Sequence, residues 1–204
     1  MSKYPIIVFE GVEGSGKSYH IKNIQKYLKR KKIKFIKLRE PGGSINSEKI
    51  RKVILSNNSN FHKLTDLFLY IAARNENVQS IIRKNYKKKV ILIDRFKDST
   101  IAYQHFGMNI NKKLINELNN IVLKDIKPNF TFLNIVNMKN LKQRINRRKK
   151  NRYDKFNNNF YNKVQKGYIK LAKNKKNYMI VNSNSSILEN KLKIQKKINS
   201  LLSI

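Results

Sequence analysis

Residues Gly11-Val-Glu-Gly-Ser-Gly-Lys-Ser18 directly follow the apolar run Ile6-Ile-Val-Phe9. The octet fits G-x-x-x-x-G-K-[ST], and its position predicts a strand before it and a helix after it. Small residues let backbone N–H groups turn inward around a polyphosphate, and the helix N-terminus adds partial positive charge. Gly11, Val12, Glu13, Gly14, Ser15, Gly16, Lys17 and Ser18 are therefore the candidate nucleotide cradle. Lys17 is placed to reach the outer phosphates, and the Ser18 hydroxyl to ligate Mg²⁺.

Outward from the loop, apolar runs of strand length alternate with longer stretches of helical spacing. Strands are expected at Ile6–Glu10, Ile33–Leu38, Val90–Ile93, Phe130–Val136 and Tyr178–Val181. Helices are expected at Lys17–Lys31, Ser47–Leu55, Leu64–Tyr86, Asp98–Phe106, Lys112–Leu123, Lys139–Lys150, Phe156–Leu171 and Ile187–Leu202. This alternation predicts an α/β chain: a five-stranded parallel sheet flanked by helices on both faces, the P-loop NTPase fold. Ligands in such sheets sit beyond the carboxyl ends of the strands. Gly11–Ser18, Arg39–Gly43 and Asp94-Arg95 all fall there. Asp94 at a strand end can hold the hydration shell of Mg²⁺, and Arg95 can grip a phosphate at two points.

Length and composition narrow the class. The 204 residues suit one domain, with or without a small lid. No cysteine is present, which rules out disulfides and thiolate metal sites and is compatible with a reducing cytoplasm, the expected compartment. Met1-Ser-Lys-Tyr-Pro5 leads straight into the first strand, so no signal peptide is expected. No apolar run approaches the ~18 residues of a membrane span.

Lys and Arg number 46 against 12 Asp and Glu, a formal charge of +34. A polyanion partner and compositional drift both explain such an excess. The lysines are scattered through every segment with no basic tail, which favours drift; non-specific adhesion to polyanions is expected either way.

A phosphate loop alone does not separate GTPases, ATPases and small-molecule kinases. The chain has no Asn-Lys-x-Asp tetrad of the kind that reads guanine, and it is short for a motor ATPase. Five segments carry a closer resemblance: Phe9–Ser18, Arg39-Glu-Pro-Gly-Gly43, Phe68-Leu-Tyr-Ile-Ala-Ala-Arg74, Asp94-Arg-Phe-Lys-Asp-Ser-Thr-Ile-Ala-Tyr-Gln104 and Arg152-Tyr-Asp154. In order and spacing the chain resembles the bacterial thymidylate kinases, from residue 6 to about 172. The resemblance implies transfer of the ATP γ-phosphate to dTMP with Mg²⁺, and a homodimer.

It also implies roles. Lys17 and the loop hold ATP; Ser18 and Asp94 manage the metal; Arg95 clamps the dTMP phosphate, with Arg51 as a second contact. Tyr70 stacks on thymine where the family usually has Phe, and Arg74, one turn on, contacts the base. Thr100 and Gln104 hydrogen-bond the base, with Ser99 a weaker neighbour. Tyr103 fills the space beside the sugar 2′ carbon, and Glu13 binds the 3′-hydroxyl. A basic lid at about 139–155 supplies arginines to the γ-phosphate, Arg147 and Arg152 matching best and Arg144 and Arg148 standing near enough to substitute. Gln143 and Asn151 stand where the family often has Arg and Asp. Asn also replaces a usual Asp at Asn129, Asn134 and Asn182, so part of the +34 is lost acid. Two other readings remain: a phosphate-loop nucleotide or deoxynucleoside kinase with another acceptor, or a basic nucleic-acid-binding protein on a degenerate kinase fold.

Overall fold

The computed structural model describes residues 4–146 and 151–204. Strand β1 (Ile6–Glu10) is almost wholly buried and runs between β3 (Val90–Asp94) and β4 (Phe130–Ile135). Strand β2 (Phe35–Arg39) lies outside β3, and β5 (Tyr178–Asn182) outside β4. All four pairings are parallel, in the order β2-β3-β1-β4-β5. The five-stranded parallel sheet expected from the alternation is the one observed.

Period-two alternation divides the core. Ile6 and Val8 of β1, with Ile91 and Ile93 of β3, point into one cluster. That cluster is closed by α3 (Lys63–Asn77), through Leu67 and Ile71, and by α6 (Lys112–Leu123), through Ile115 and Val122. Ile7, Phe9, Val90 and Leu92 point the other way, onto α1 (Lys17–Arg30) and α9 (Ile187–Leu202). Phe9 stacks on Phe132 with ring centroids 5.0 Å apart. A third cluster joins Val12, Leu133 and Ile54 to α7 (Met138–Asn146) and α8 (Asn158–Ala172). It is this cluster that ties α7 and α8 to the phosphate loop.

Boundaries differ from the sequence expectation where caps intervene. Ile33 was expected in β2, but its N–H bonds the Leu28 carbonyl (3.0 Å) beside Lys32 at φ +55°. The C-terminal turn of α1 thus claims Ile33, as left-handed helix ends do. Helix α2 (Ile45–Leu55) starts two residues early because Ser44 caps it, accepting from the Ser47 N–H (3.2 Å). Helix α3 continues through a π turn (Val78–Ile82) into short α4 (Arg83–Asn85). The helix expected over Asp98–Phe106 is α5 (Lys97–Thr100) followed by a π turn (Ile101–Gly107). Such wide turns are concentrated at functional sites. A short 3₁₀ turn at Arg152–Lys155 precedes α8.

Two glycines make close approaches. A Cβ on Gly11 would stand 2.1 Å from the Asn134 carbonyl oxygen, so the phosphate loop rests directly on the end of β4. A Cβ on Gly167 would strike the Phe106 ring at 2.4 Å, so α8 packs flush against the π turn.

Candidate active site

A cleft of about 610 Å³ opens at the carboxyl ends of β1, β2 and β3. The phosphate loop forms its floor. Lys17 is buried, and its ammonium donates to the carbonyls of Gly11 (3.0 Å) and Val12 (2.9 Å). Burial first, then the nearby Arg95 charge, pushes its pKa down to about 8. Ser18, one residue on, is exposed to the cleft. Asp94 faces the same cleft from β3, and its Oδ1 is enclosed without a hydrogen-bond partner. A hydroxyl beside an unsatisfied buried carboxylate oxygen is a donor set that suits a hydrated Mg²⁺.

The loop is braced from above. Arg144 of α7 donates to the carbonyls of Gly14 (3.0 Å) and Ser183 (3.2 Å). Ser183 Oγ in turn donates to the Ser15 carbonyl (2.6 Å). Among the described residues of the expected lid, Arg144 is therefore the arginine that the structure brings to the loop. Arg147, like Arg148, lies outside the described residues. Arg152 is placed elsewhere: its guanidinium donates to the Ile54 carbonyl and Asp66 Oδ1 and lies over the Phe61 ring. Asp66, on α3, also accepts from the Tyr153 hydroxyl, so one buried carboxylate holds two consecutive lid-side residues. The physical reason is local: Asp66 is 1% exposed, and a buried carboxylate captures the nearest guanidinium.

The other end of the cleft is built on Arg95, whose backbone sits in the left-handed region at φ +66°. Its N–H bonds the Phe9 carbonyl (2.9 Å), which locks the turn after β3 to β1. Its guanidinium donates to Glu13 Oε2 (2.5 Å), the Tyr168 hydroxyl (3.2 Å) and the Tyr103 hydroxyl (3.4 Å). These partners hold its pKa well above the ordinary arginine value despite burial. Arg51 of α2 donates to the Pro41 carbonyl (2.6 Å). Its pKa is lowered by burial and then by Arg39 nearby.

Beyond Arg95 the cleft turns aromatic and polar. Tyr70 meets Tyr153 edge-on (6.2 Å), and Tyr103 meets Tyr153 the same way (6.0 Å). Thr100 Oγ1 and Gln104 Nε2 are buried without partners, and both residues line the cleft. Unpaired groups of this kind are costly unless a ligand completes them. Arg74 also lines the cleft and is 2% exposed. It is not a solvated surface arginine: it pairs with Glu40 (2.7 Å) and donates to Asn119 Oδ1 (2.5 Å).

Sequence reasoning missed Glu10. At 1% exposure, its carboxylate accepts from the N–H groups of Phe96 (2.8 Å) and Ser99 (3.2 Å) and from Ser99 Oγ (2.5 Å). Ser99 Oγ also meets the Tyr168 hydroxyl (2.6 Å), so Glu10 and Tyr168 position the turn that carries Arg95. Burial, then the neighbouring Asp98 charge, raises the Glu10 pKa to about 7. The available signal was an acid ending an otherwise apolar buried strand.

The family model for thymidylate kinase matches residues 9–194. The chain belongs to the thymidylate kinase family. It is 37% identical over 182 residues to a thymidylate kinase of Thermosipho africanus, covering 89% of this chain and 90% of that one. With a thymidylate kinase of Mycoplasma capricolum subsp. capricolum the identity is 39% over 187 residues, covering 89% and 88%. The crystal structure of thymidylate kinase from Ehrlichia chaffeensis superimposes with a TM-score of 0.78 at 29% identity, covering 96% of this chain and 98% of that one. Family membership makes the chain an ATP:dTMP phosphotransferase.

Proposed function

We propose that this cleft moves the γ-phosphoryl group of ATP in line onto the dTMP phosphate, with its residues dividing the work. One observation carries the division. Buried groups without a partner stand at both ends of a single cleft, among them Asp94 Oδ1 beside the phosphate loop, and Thr100 Oγ1 and Gln104 Nε2 beyond Arg95.

When ATP arrives, Lys17 exchanges the loop carbonyls for the outer phosphates, and the loop N–H groups with the α1 N-terminus hold the rest. Ser18 and Asp94 would hold Mg²⁺, which would supply positive charge to neutralise the phosphates. Arg95 and Arg51 grip the acceptor phosphate. Glu13, released from Arg95, takes the sugar 3′-hydroxyl. Tyr70 stacks on the base, Arg74, Thr100 and Gln104 read its edge, and Tyr103 stands against the 2′ carbon. Ser99 holds the turn beneath. Arg144, with Arg147 and with Arg152 once it is released from Asp66, meets the charge that develops on the transferred group. The chemistry is positioning and neutralisation, without a covalent intermediate.

Phe68 on α3 and Ile121 on α6 are 52% and 69% exposed. A second copy of the chain covering these side chains accounts for them, in keeping with the homodimer that the family resemblance implies. The substrates make the cytoplasm the working compartment.

The test is an ADP-release assay across dTMP, dUMP, dCMP, dGMP and free thymidine. dTMP is the preferred acceptor, and EDTA abolishes turnover. Preference for any other acceptor contradicts the assignment of the base-reading residues.

A further inference from the structure

The lysines that look scattered along the chain are gathered by the topology. Every strand of a parallel sheet begins at the same end, so every segment leading into a strand meets there. Four such segments are lysine-rich: Lys31-Lys-Ile-Lys34 before β2, Lys87-Lys-Lys89 before β3, Lys124-Asp-Ile-Lys127 before β4 and Lys173-Asn-Lys-Lys176 before β5. Hydrogen bonds tie the strand entries side by side: Val90 N–H to the Lys34 carbonyl (3.0 Å), Ile91 N–H to Pro5 (3.0 Å), Asn129 N–H to Ile6 (2.9 Å) and Thr131 N–H to Asn177 (2.9 Å).

The result is a basic pole at the amino ends of the strands, opposite the cleft. It holds eleven lysines against one carboxylate, Asp125, and that carboxylate is already paired with Arg83 (3.6 Å). Ten of the eleven lysines are exposed. Among the described residues none of them pairs with an acid; Lys87 and Lys175 lie over the rings of Tyr86 and Tyr178. Helix C-termini favour cations, and α1, α4, α6 and α8 each end just before one of these segments. That effect accounts for about one lysine per helix end, not for two or three.

We infer that this pole is a docking surface for the phosphate backbone of nucleic acid. Five strands about 4.8 Å apart make a pole about 19 Å wide. The same length of duplex axis carries about eleven phosphates, at one per about 1.7 Å. Lysines are point charges that neutralise phosphates without reading bases, so the surface is indifferent to sequence. A lipid surface is the poorer occupant, because binding in a membrane interface needs apolar side chains beside the cations. None of the exposed large hydrophobic residues falls within the four segments.

The experiment follows a labelled 20-base-pair duplex binding to the full chain by fluorescence anisotropy across a salt series. Two variants each lose three positive charges. One is K87Q/K88Q/K89Q at the pole; the other is K22Q/K26Q/K163Q on the flanks of α1 and α8. The pole variant shallows the log–log salt slope by about 2.7 and weakens binding at 0.15 M salt by about two orders of magnitude. The flank variant changes binding less than threefold. ATP with dTMP does not displace the duplex, and turnover of the pole variant equals that of the parent. Equal weakening by the two variants overturns the proposal, since it makes the charge delocalised. Displacement by ATP and dTMP overturns it by placing the duplex in the cleft. So does binding to vesicles rich in phosphatidylserine without binding to the duplex. The kinase assignment is untouched by any of these results, because it is read from the acceptor assay.

Discussion

The two ends of this sheet carry charge in opposite ways. At the carboxyl end four arginines each have specific partners: Arg95 with Glu13, Arg74 with Glu40, Arg152 with Asp66, Arg144 with the carbonyls of Gly14 and Ser183. At the amino end the lysines stand exposed beside a single carboxylate. Burial explains the contrast. A charge removed from water must be paired, so geometry at the cleft is over-determined, whereas an exposed charge is satisfied by solvent and its neighbours are free to vary. Substitutions at the two ends therefore act differently: at the cleft on rate, at the pole on salt dependence.

The strongest way to break this comparison is Arg95→Ala. It removes the proposed acceptor clamp and leaves Glu13 facing the cleft without its guanidinium. kcat/KM for dTMP falls by about 10³-fold, the size of effect expected for a lost charge stabiliser. Steady-state kinetics check it, and a loss under tenfold contradicts the clamp.

A smaller effect is expected at Asp66→Asn. The change leaves Arg152 without its carboxylate and weakens the hold on Tyr153, whose ring borders Tyr70 and Tyr103. KM for dTMP rises about tenfold while KM for ATP changes little, a split that corresponds to about 1.4 kcal/mol of acceptor binding. Hydrogen exchange over residues 151–155 quickens in parallel. Unchanged exchange there shows that the carboxylate does not anchor this segment.

The subtlest test concerns Lys17. With its pKa lowered to about 8, about half of the free molecules at pH 8 carry a neutral amine. Polyphosphate stabilises the charged form and drives the pKa back up. ATP binding at pH 8 therefore takes up about half a proton from solution, and less at pH 7, where Lys17 is already mostly charged. Calorimetry in buffers of different ionisation heat measures this uptake, and a binding enthalpy independent of buffer contradicts it.

Legibility in the sequence follows the same division. The phosphate loop and the strands could be read because buried parallel strands and glycine-rich turns tolerate few residue types. The proposed base-reading positions needed a resemblance, because nothing in the spacing of Thr100 and Gln104 announces the junction of α5 with the π turn on which they sit. Arg152 was expected at the γ-phosphate, yet the structure holds it on Asp66; that pairing joins residues 86 apart in sequence and leaves no local signature. Glu10 was passed over because an acid at a strand end reads as a solvated terminus until Phe96 and Ser99 are folded against it. The basic pole was invisible for a topological reason: its segments are gathered only once the strands lie parallel.

The backbone of Arg95 has a consequence for engineering. A non-glycine residue at φ +66° carries about 1 kcal/mol of conformational cost. Arg95→Gly and Arg95→Ala both delete the proposed clamp, but only glycine relieves the backbone, so the glycine variant melts higher than the alanine one. Among truncations at position 95, a library screened for heat resistance alone will enrich glycine, whatever that does to turnover. Selection on this fold has to score turnover and melting together, because at this one residue they pull apart.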